Sequence, residues 1–289
     1  MQFGLSLPIH ASYADPQLHV DLAMAAERAG WDGYFVWDHI AWKHGATHVA
    51  VTDPWITLAA IAARTERIRL GPLMTPLTRR RPWKVARETI ALDHLSKGRL
   101  ILGVGLGAVA KTEFNAFGEE GDDKVRGRML DDALAVLTGL WRGELFTHTS
   151  EFYQIGETKF TPVAIQSPRI PIWVAGSWRG GQARKPFRRA ARFEGTFPFI
   201  PTRDGSQAKP EEYAAIRDYV LRHRTSTAPF DIVCRRPMSA AGLGTVAERK
   251  EFADAGVTWW MLSDAPGKYS LGELRRLITN GPYASVTSV

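Results

Sequence analysis

Short apolar runs alternate with amphipathic stretches almost from end to end of this chain, and that rhythm constrains the fold more than any single residue. Residues 2–7, 33–37, 68–73, 99–104, 170–175, 195–200, 232–235 and 257–262 read as strands. The stretches 15–29, 53–65, 82–95, 124–141, 183–191, 211–222, 245–255 and 271–278 carry helical periodicity. Gly30 is a usual helix stop, and Asp53 with Pro54 supplies an N-cap and a first helical residue. Eight strand–helix pairs predict an α/β protein with a parallel sheet, and eight is the number that closes a (β/α)8 TIM barrel. An open doubly wound sheet is the alternative. The segment 142–169 breaks the alternation; within it 147–155 and 161–165 read as a small hairpin or a loop insertion after the fourth helix. No linker or low-complexity tract divides the 289 residues, so one barrel domain, 1–289, is expected.

Composition removes several classes. With 45% hydrophobic and 23% charged residues the chain reads as globular, and no apolar run approaches the ~20 residues a membrane span needs. Residues 1–10 lack an early Lys or Arg and a cleavage-like site, so no signal peptide is expected. A single cysteine, Cys234, excludes an intrachain disulfide and fits a reducing cytosol, giving an expected cytoplasmic location. The 37 basic against 30 acidic side chains leave a charge of +7, clustered at 79–81, 188–192, 222–224, 235–236 and 275–276. These clusters read either as solvated helix faces or as a site for an anionic ligand. Their scatter, without a recognition motif, argues against nucleic acid.

In a barrel of this kind chemistry sits where strands end and loops begin. That rule selects His10, residues 38–42, 74–76, 103–111 and 176–179, and Asp264. Asp38 and His39 follow the second strand directly, and histidine is the commonest side chain for proton transfer near neutral pH. His44 and His48 have helical metal-ligand spacing, but Gly45 weakens a helix and no third ligand follows, so no metal is expected. Residues 105–110 formally match G-x-G-x-x-A, yet they follow the fourth strand and no helix begins clearly in their frame. Gly176 and Ser177, with Arg179 close by, form a second candidate phosphate loop. A hydrolase elbow G-x-S-x-G is absent, His10 has no His-x-His partner, and no aldo-keto Asp–Tyr–Lys–His set is evident. Trp42, Trp178, Phe197 and Trp260 are candidate apolar walls for a small-molecule pocket.

Several ordered segments carry a family likeness. They are residues 26–32 (Ala-Glu-Arg-Ala-Gly-Trp-Asp), 36–39 (Val-Trp-Asp-His), 75–82, 92–99, 102–107, 113–118, 130–134 with 140–141, and 171–176. Together they resemble the luciferase-like flavin-dependent oxidoreductases, the bacterial luciferase superfamily that includes deazaflavin (F420)-dependent enzymes. The resemblance implies a TIM barrel with an insertion at 142–169 and coenzyme F420, or alternatively FMN, across the C-terminal mouth. It implies a bulge with a non-prolyl cis peptide within 71–75, which makes Leu73, Met74 and Thr75 cofactor contacts. It places the cofactor phosphate on Gly105, Gly107, Gly176 and Ser177, with Arg179 as charge partner. His39 then handles a proton while hydride passes to or from the ring, Trp42 stabilises what lies between, and Asp38 orients His39 or bonds the cofactor. The His39-to-Trp42 spacing is shorter than in the deazaflavin-dependent sugar-phosphate dehydrogenases. Ala108 stands where those enzymes carry a glutamate, so the second acid/base partner is expected to be missing and Glu113 to be structural. The expected function is hydride transfer between F420 and a small organic substrate. The alternatives are an FMN-dependent two-component monooxygenase fed by a separate flavin or F420 reductase, and a non-catalytic flavin- or F420-binding relative. A homodimer built through early helices is common in the family.

Overall fold

A computed structural model describes residues 1–108, 110–180, 185–201, 207–263 and 269–283. Among these, eight strands build one parallel sheet: β1 (Gln2–Leu7), β2 (Gly33–Val36), β3 (Arg69–Pro72), β4 (Leu102–Gly105), β5 (Ile172–Ser177), β6 (Gly195–Phe199), β7 (Asp231–Pro237) and β8 (Trp259–Ser263). The helices following them are α1 (Pro16–Arg28), α2 (Pro54–Arg64), α3 (Pro82–Leu95), α4 (Asp123–Trp141), α5 (Lys185–Ala190), α6 (Pro210–His223), α7 (Val246–Asp254) and α8 (Leu271–Asn280). The strand order is β3-β2-β1-β8-β7-β6-β5-β4, with a two-residue continuation of β3, Thr75–Pro76, paired to the far side of β4. A parallel bridge between Leu70 and Leu100 joins the two ends of that order, so the sheet closes into the expected barrel rather than an open sheet.

The closing seam is interrupted. At Leu70 it consists of Leu70 N–H to Arg99 C=O at 3.2 Å and Ile101 N–H to Leu70 C=O at 2.9 Å, and it resumes where Thr75 and Pro76 pair with Val104 and Gly105. The Arg99 side chain reinforces it by donating to Thr65 Oγ1 and to the carbonyls of Ile68, Ala62, Thr65 and Ser96. Gly71 belongs to the same join: a Cβ there would lie 1.8 Å from the Ile101 carbonyl oxygen, so only glycine lets the strands meet.

Strand alternation sorts the core into two layers. Phe35, Ile101, Trp173, Phe197, Trp259 and Met261 fill the barrel interior. Leu5, Leu7, Val36, Leu70, Leu102, Val174, Trp260 and Leu262 face outward and are covered by the apolar stripes of the helices. Caps fall where the sequence signals them: Asp53 accepts from Ile56 N–H at 2.8 Å ahead of Pro54, and Thr245 opens α7 by accepting from Glu248 N–H. The insertion is a hairpin, but its arms are Leu145–Thr149 and Gln154–Lys159. Residues 161–165 are not its second strand; two cis X-Pro bonds, Thr161–Pro162 and Ser167–Pro168, flank an irregular return to β5. A second hairpin, Trp42–His44 with Thr47–Val49, was not expected from the residues.

Candidate active site

β2 delivers the first site residues. Its four residues are buried, and the chain leaves the barrel at Trp37, whose indole N–H donates to Ser6 Oγ at 3.1 Å. Asp38 follows and is buried, its carboxylate surrounded by donors: Thr75 Oγ1 at 2.8 Å, Arg79 Nη2 at 3.0 Å, and Arg80 through Nε and Nη2 at 3.0 and 2.8 Å. A buried carboxylate needs such compensation. Asp38 therefore neither orients His39 nor remains free for a cofactor; it ties the end of β2 to the segment after β3. Thr75, expected as a cofactor contact, is buried with its hydroxyl engaged by Asp38.

His39 is held by Glu113 instead. His39 Nδ1 lies 3.0 Å from Glu113 Oε2, Ile40 N–H donates to Oε1 at 2.8 Å, and Arg79 Nη1 stands 3.5 Å from Oε2. Burial works to raise the Glu113 pKa, but the hydrogen bond and charge of His39, then Arg79 and Ile40 N–H, hold it below the ordinary carboxylate value. An ionised Glu113 only accepts hydrogen bonds, so Nδ1 carries the hydrogen and Nε2 is left for a ligand. The carboxylate that meets His39 thus stands five residues beyond Ala108, on the short helix Ala110–Glu113, at the residue expected to be structural.

Trp42 completes the cluster, its ring 4.5 Å from that of His39 and stacked on His10 at 4.5 Å with 18° between planes. His10 is buried, and neither ring nitrogen has a partner among the described residues. Burial first, and then the nearby His39, lowers its pKa to about 4, so it backs Trp42 as a neutral plate. His44 and His48 sit on facing arms of the Trp42–Val49 hairpin rather than on a helix. Among the described residues no three potential metal ligands gather.

The floor follows β3, where the Leu73–Met74 peptide is cis, inside the window expected for it. Leu73, Met74 and Gly107 line a chamber of about 190 Å³ together with Trp37, Asp38, His39, Trp42, Glu113 and Phe197. Gly105 lies beneath: a Cβ there would meet Met74 Sδ at 1.9 Å, so the missing side chain is what seats the methionine. Beside the chamber is a cleft of about 500 Å³ whose walls include Ser177, Arg179, Tyr213, Arg235 and Arg236. Phe199, Arg235 and Ser263 border both spaces. Gly176 lies behind Ser177 against Pro186 and lines neither.

Two expected pocket walls are elsewhere. Trp260 is between the inward Trp259 and Met261, so alternation turns it outward; its indole N–H donates to the Gly242 carbonyl at 2.8 Å and its ring packs on Phe252. Trp178 is buried under α5 and α6 against Phe187 and Tyr219. Asp264 lies outside the described residues. Cys234 is buried in β7 and its thiol is pushed up to about 12, chiefly by burial, which suits packing rather than nucleophilic chemistry.

The sequence pattern of the luciferase-like monooxygenases matches residues 1–265. The chain belongs to that family. This luciferase-like chain is 33% identical over 164 residues to the F420-dependent glucose-6-phosphate dehydrogenase of Nakamurella multipartita, covering 56% of the chain and 47% of the relative. It is 29% identical over 156 residues to the oxygenase component of the flavin-dependent trigonelline monooxygenase of Acinetobacter baylyi, covering 54% and 42%. The chain thus spans about half the length of the curated relatives it matches. An F420-dependent secondary alcohol dehydrogenase, solved with an F420-acetone adduct, superposes with a TM-score of 0.76 over 98% of this chain and 99% of its own, at 15% identity. That likeness is one of fold, a luciferase-like TIM barrel. Relatives dependent on F420 and on flavin both stand beside this chain. Among the described residues no helix is long and apolar enough to cross a membrane.

Proposed function

We propose that this chain is an oxidoreductase transferring hydride between coenzyme F420 and a small organic substrate. The observation that carries the reading is the His39–Glu113 pair on the wall of the apolar chamber. When bound, the deazaflavin ring takes up or gives a hydride at one carbon and supplies the redox chemistry. The chain then has three tasks. His39, with Nδ1 fixed by Glu113, takes the hydroxyl proton of an alcohol at Nε2, or returns it to a carbonyl oxygen in the reverse direction. Trp42 and the neutral His10 behind it keep the imidazole in place and water out. Leu73 and Met74 offer the flat apolar surface a ring needs.

The residues present fit the cofactor. Beyond the border it shares with the chamber, the cleft carries the guanidinium groups of Arg179 and Arg236 and no carboxylate among its described walls. A tail bearing a phosphodiester and carboxylates suits such a cleft, as FMN with its single phosphate does less fully. A second reading, an FMN-dependent monooxygenase served by a reductase, is supported by the likeness to the Acinetobacter baylyi oxygenase component. An oxygenase drawing its reactivity from reduced flavin and O2 has less need of a carboxylate-held base, which is why the dehydrogenase reading is preferred.

Titration of the purified protein with F420 and with FMN, followed by fluorescence, separates the two. Tight F420 binding with weak FMN binding, and turnover lost in His39→Ala while F420 binding persists, is the expected outcome. Tight FMN binding with substrate-dependent oxygen uptake would replace it by the monooxygenase reading.

A further inference from the structure

Arg235 is the side chain that the chemistry above leaves unused. It stands near the end of β7, exposed at the junction where chamber and cleft meet. Its guanidinium makes no hydrogen bond or ion pair among the described residues, and of the three arginines on the cleft it is the one that also borders the chamber. Arg236 is ion-paired with Glu248 and lies 4.8 Å from the Trp260 ring; Arg79 and Arg80 are committed to Asp38 and Glu113. The chamber's two carboxylates are therefore already neutralised and do not compete for Arg235. Ser263 borders the same two spaces from the adjacent strand, two residues beyond the Met261 that pairs with Arg235. A planar fork of N–H donors beside a hydroxyl is matched by a phosphate or carboxylate. In the barrel order β7 lies three strands from β2, which places this fork across the mouth from His39.

We propose that Arg235 anchors an oxyanion of the substrate, so that this site takes small hydroxy or oxo compounds bearing a phosphate or carboxylate group. An anchor across the mouth from the base fixes which end of such a molecule meets His39. That the anion belongs to a substrate rests on the hydride-transfer reading; the anion site itself rests on a guanidinium at the chamber–cleft junction without a partner among the described residues.

Inorganic phosphate is the probe, titrated calorimetrically into F420-saturated and cofactor-free protein, for wild type, Arg235→Ala and Arg235→Lys. The expected result is phosphate binding to the F420-saturated wild type, weakened roughly tenfold or more by Arg235→Ala and partly kept by Arg235→Lys, with F420 affinity unchanged. Loss of phosphate binding once F420 is present, with weaker F420 binding in Arg235→Ala, would assign the anion to the cofactor tail and overturn the proposal. Equal phosphate binding by wild type and Arg235→Ala, or none by wild type, overturns it as well. If F420 fails to bind wild type, the hydride reading falls on its own, and the cofactor-free titration still decides whether Arg235 holds an anion.

Discussion

Glu113 Oε2 lies 3.0 Å from His39 Nδ1 although 74 residues separate them in the chain. The contact joins the connection after β4 to the loop after β2 and sets the tautomer of an imidazole on the chamber wall. Glu113→Gln keeps the shape and removes the charge. Turnover is expected to fall roughly 10²-fold, the usual scale for a disturbed general acid–base group. Turnover equal to wild type in the variant would mean that Glu113 does not act through His39.

Asp38 sits between two arginines. Asp38→Ala leaves Arg80 without its carboxylate and Arg79, its side chain buried, with only the longer contact to Glu113, and a loss of about 3–5 kcal/mol in urea unfolding is expected. Asp38→Asn, which still accepts from Thr75, loses less. If both variants unfold at the wild-type urea midpoint, the cluster contributes nothing to stability.

Two buried histidines make the protein acid-sensitive. His19 is fixed between Tyr34 Oη and the Tyr13 carbonyl, both at 2.9 Å, and burial lowers its pKa to about 4, as for His10. The unfolded chain takes a proton near pH 6.5 that these rings refuse until about pH 4. Stability is thus full above pH 6.5 and falls between 6.5 and 4, by about 3 kcal/mol per ring over the whole interval. Denaturation midpoints against pH should show the decline, and His10→Phe should flatten it. A variant with the wild-type slope would show that His10 titrates normally.

Glycines at two strand positions respond differently to alanine. At Gly71 the new methyl meets the rigid Ile101 carbonyl, so barrel closure suffers and the melting temperature drops by several degrees or more. At Gly105 it meets Met74 Sδ, which has room to swing, so the fold survives while the chamber floor changes and cofactor affinity falls. Thermal melts and F420 titrations of the two variants check the contrast.

The barrel was readable because periodicity and caps act locally: α3 (Pro82–Leu95) and β1 (Gln2–Leu7) fall on the residues expected. His39, Trp42, Met74 and Gly107 were readable because strand ends point to the mouth. The His39–Glu113 contact was not readable because it depends on a loop folding back across the sheet, which no spacing records. The presence of Glu113 just past the window 103–111 was the available signal. Arg79 and Arg80 were visible as positive charge and as part of the 75–82 segment, but not as partners of Asp38, which comes from a different connection. Trp260 was misjudged although alternation was there to use: with Trp259 inward, its neighbour had to face the helices.

The Leu70–Leu100 bridge has a consequence for how the molecule breathes. Ladder pairing runs unbroken over five pairs between β1 and β8, but where β3 meets β4 it is split between the lone Leu70–Leu100 bridge and the two pairs of Thr75–Pro76 with Val104–Gly105. Amide hydrogens at Leu70 and Ile101 should therefore exchange with solvent through the lowest-energy local opening of the sheet, ahead of those along β1. That opening loosens the residues just before the Leu73–Met74 floor. A ring seated on the floor would slow exchange at both amides without touching either, so the seam serves as a remote gauge of occupancy.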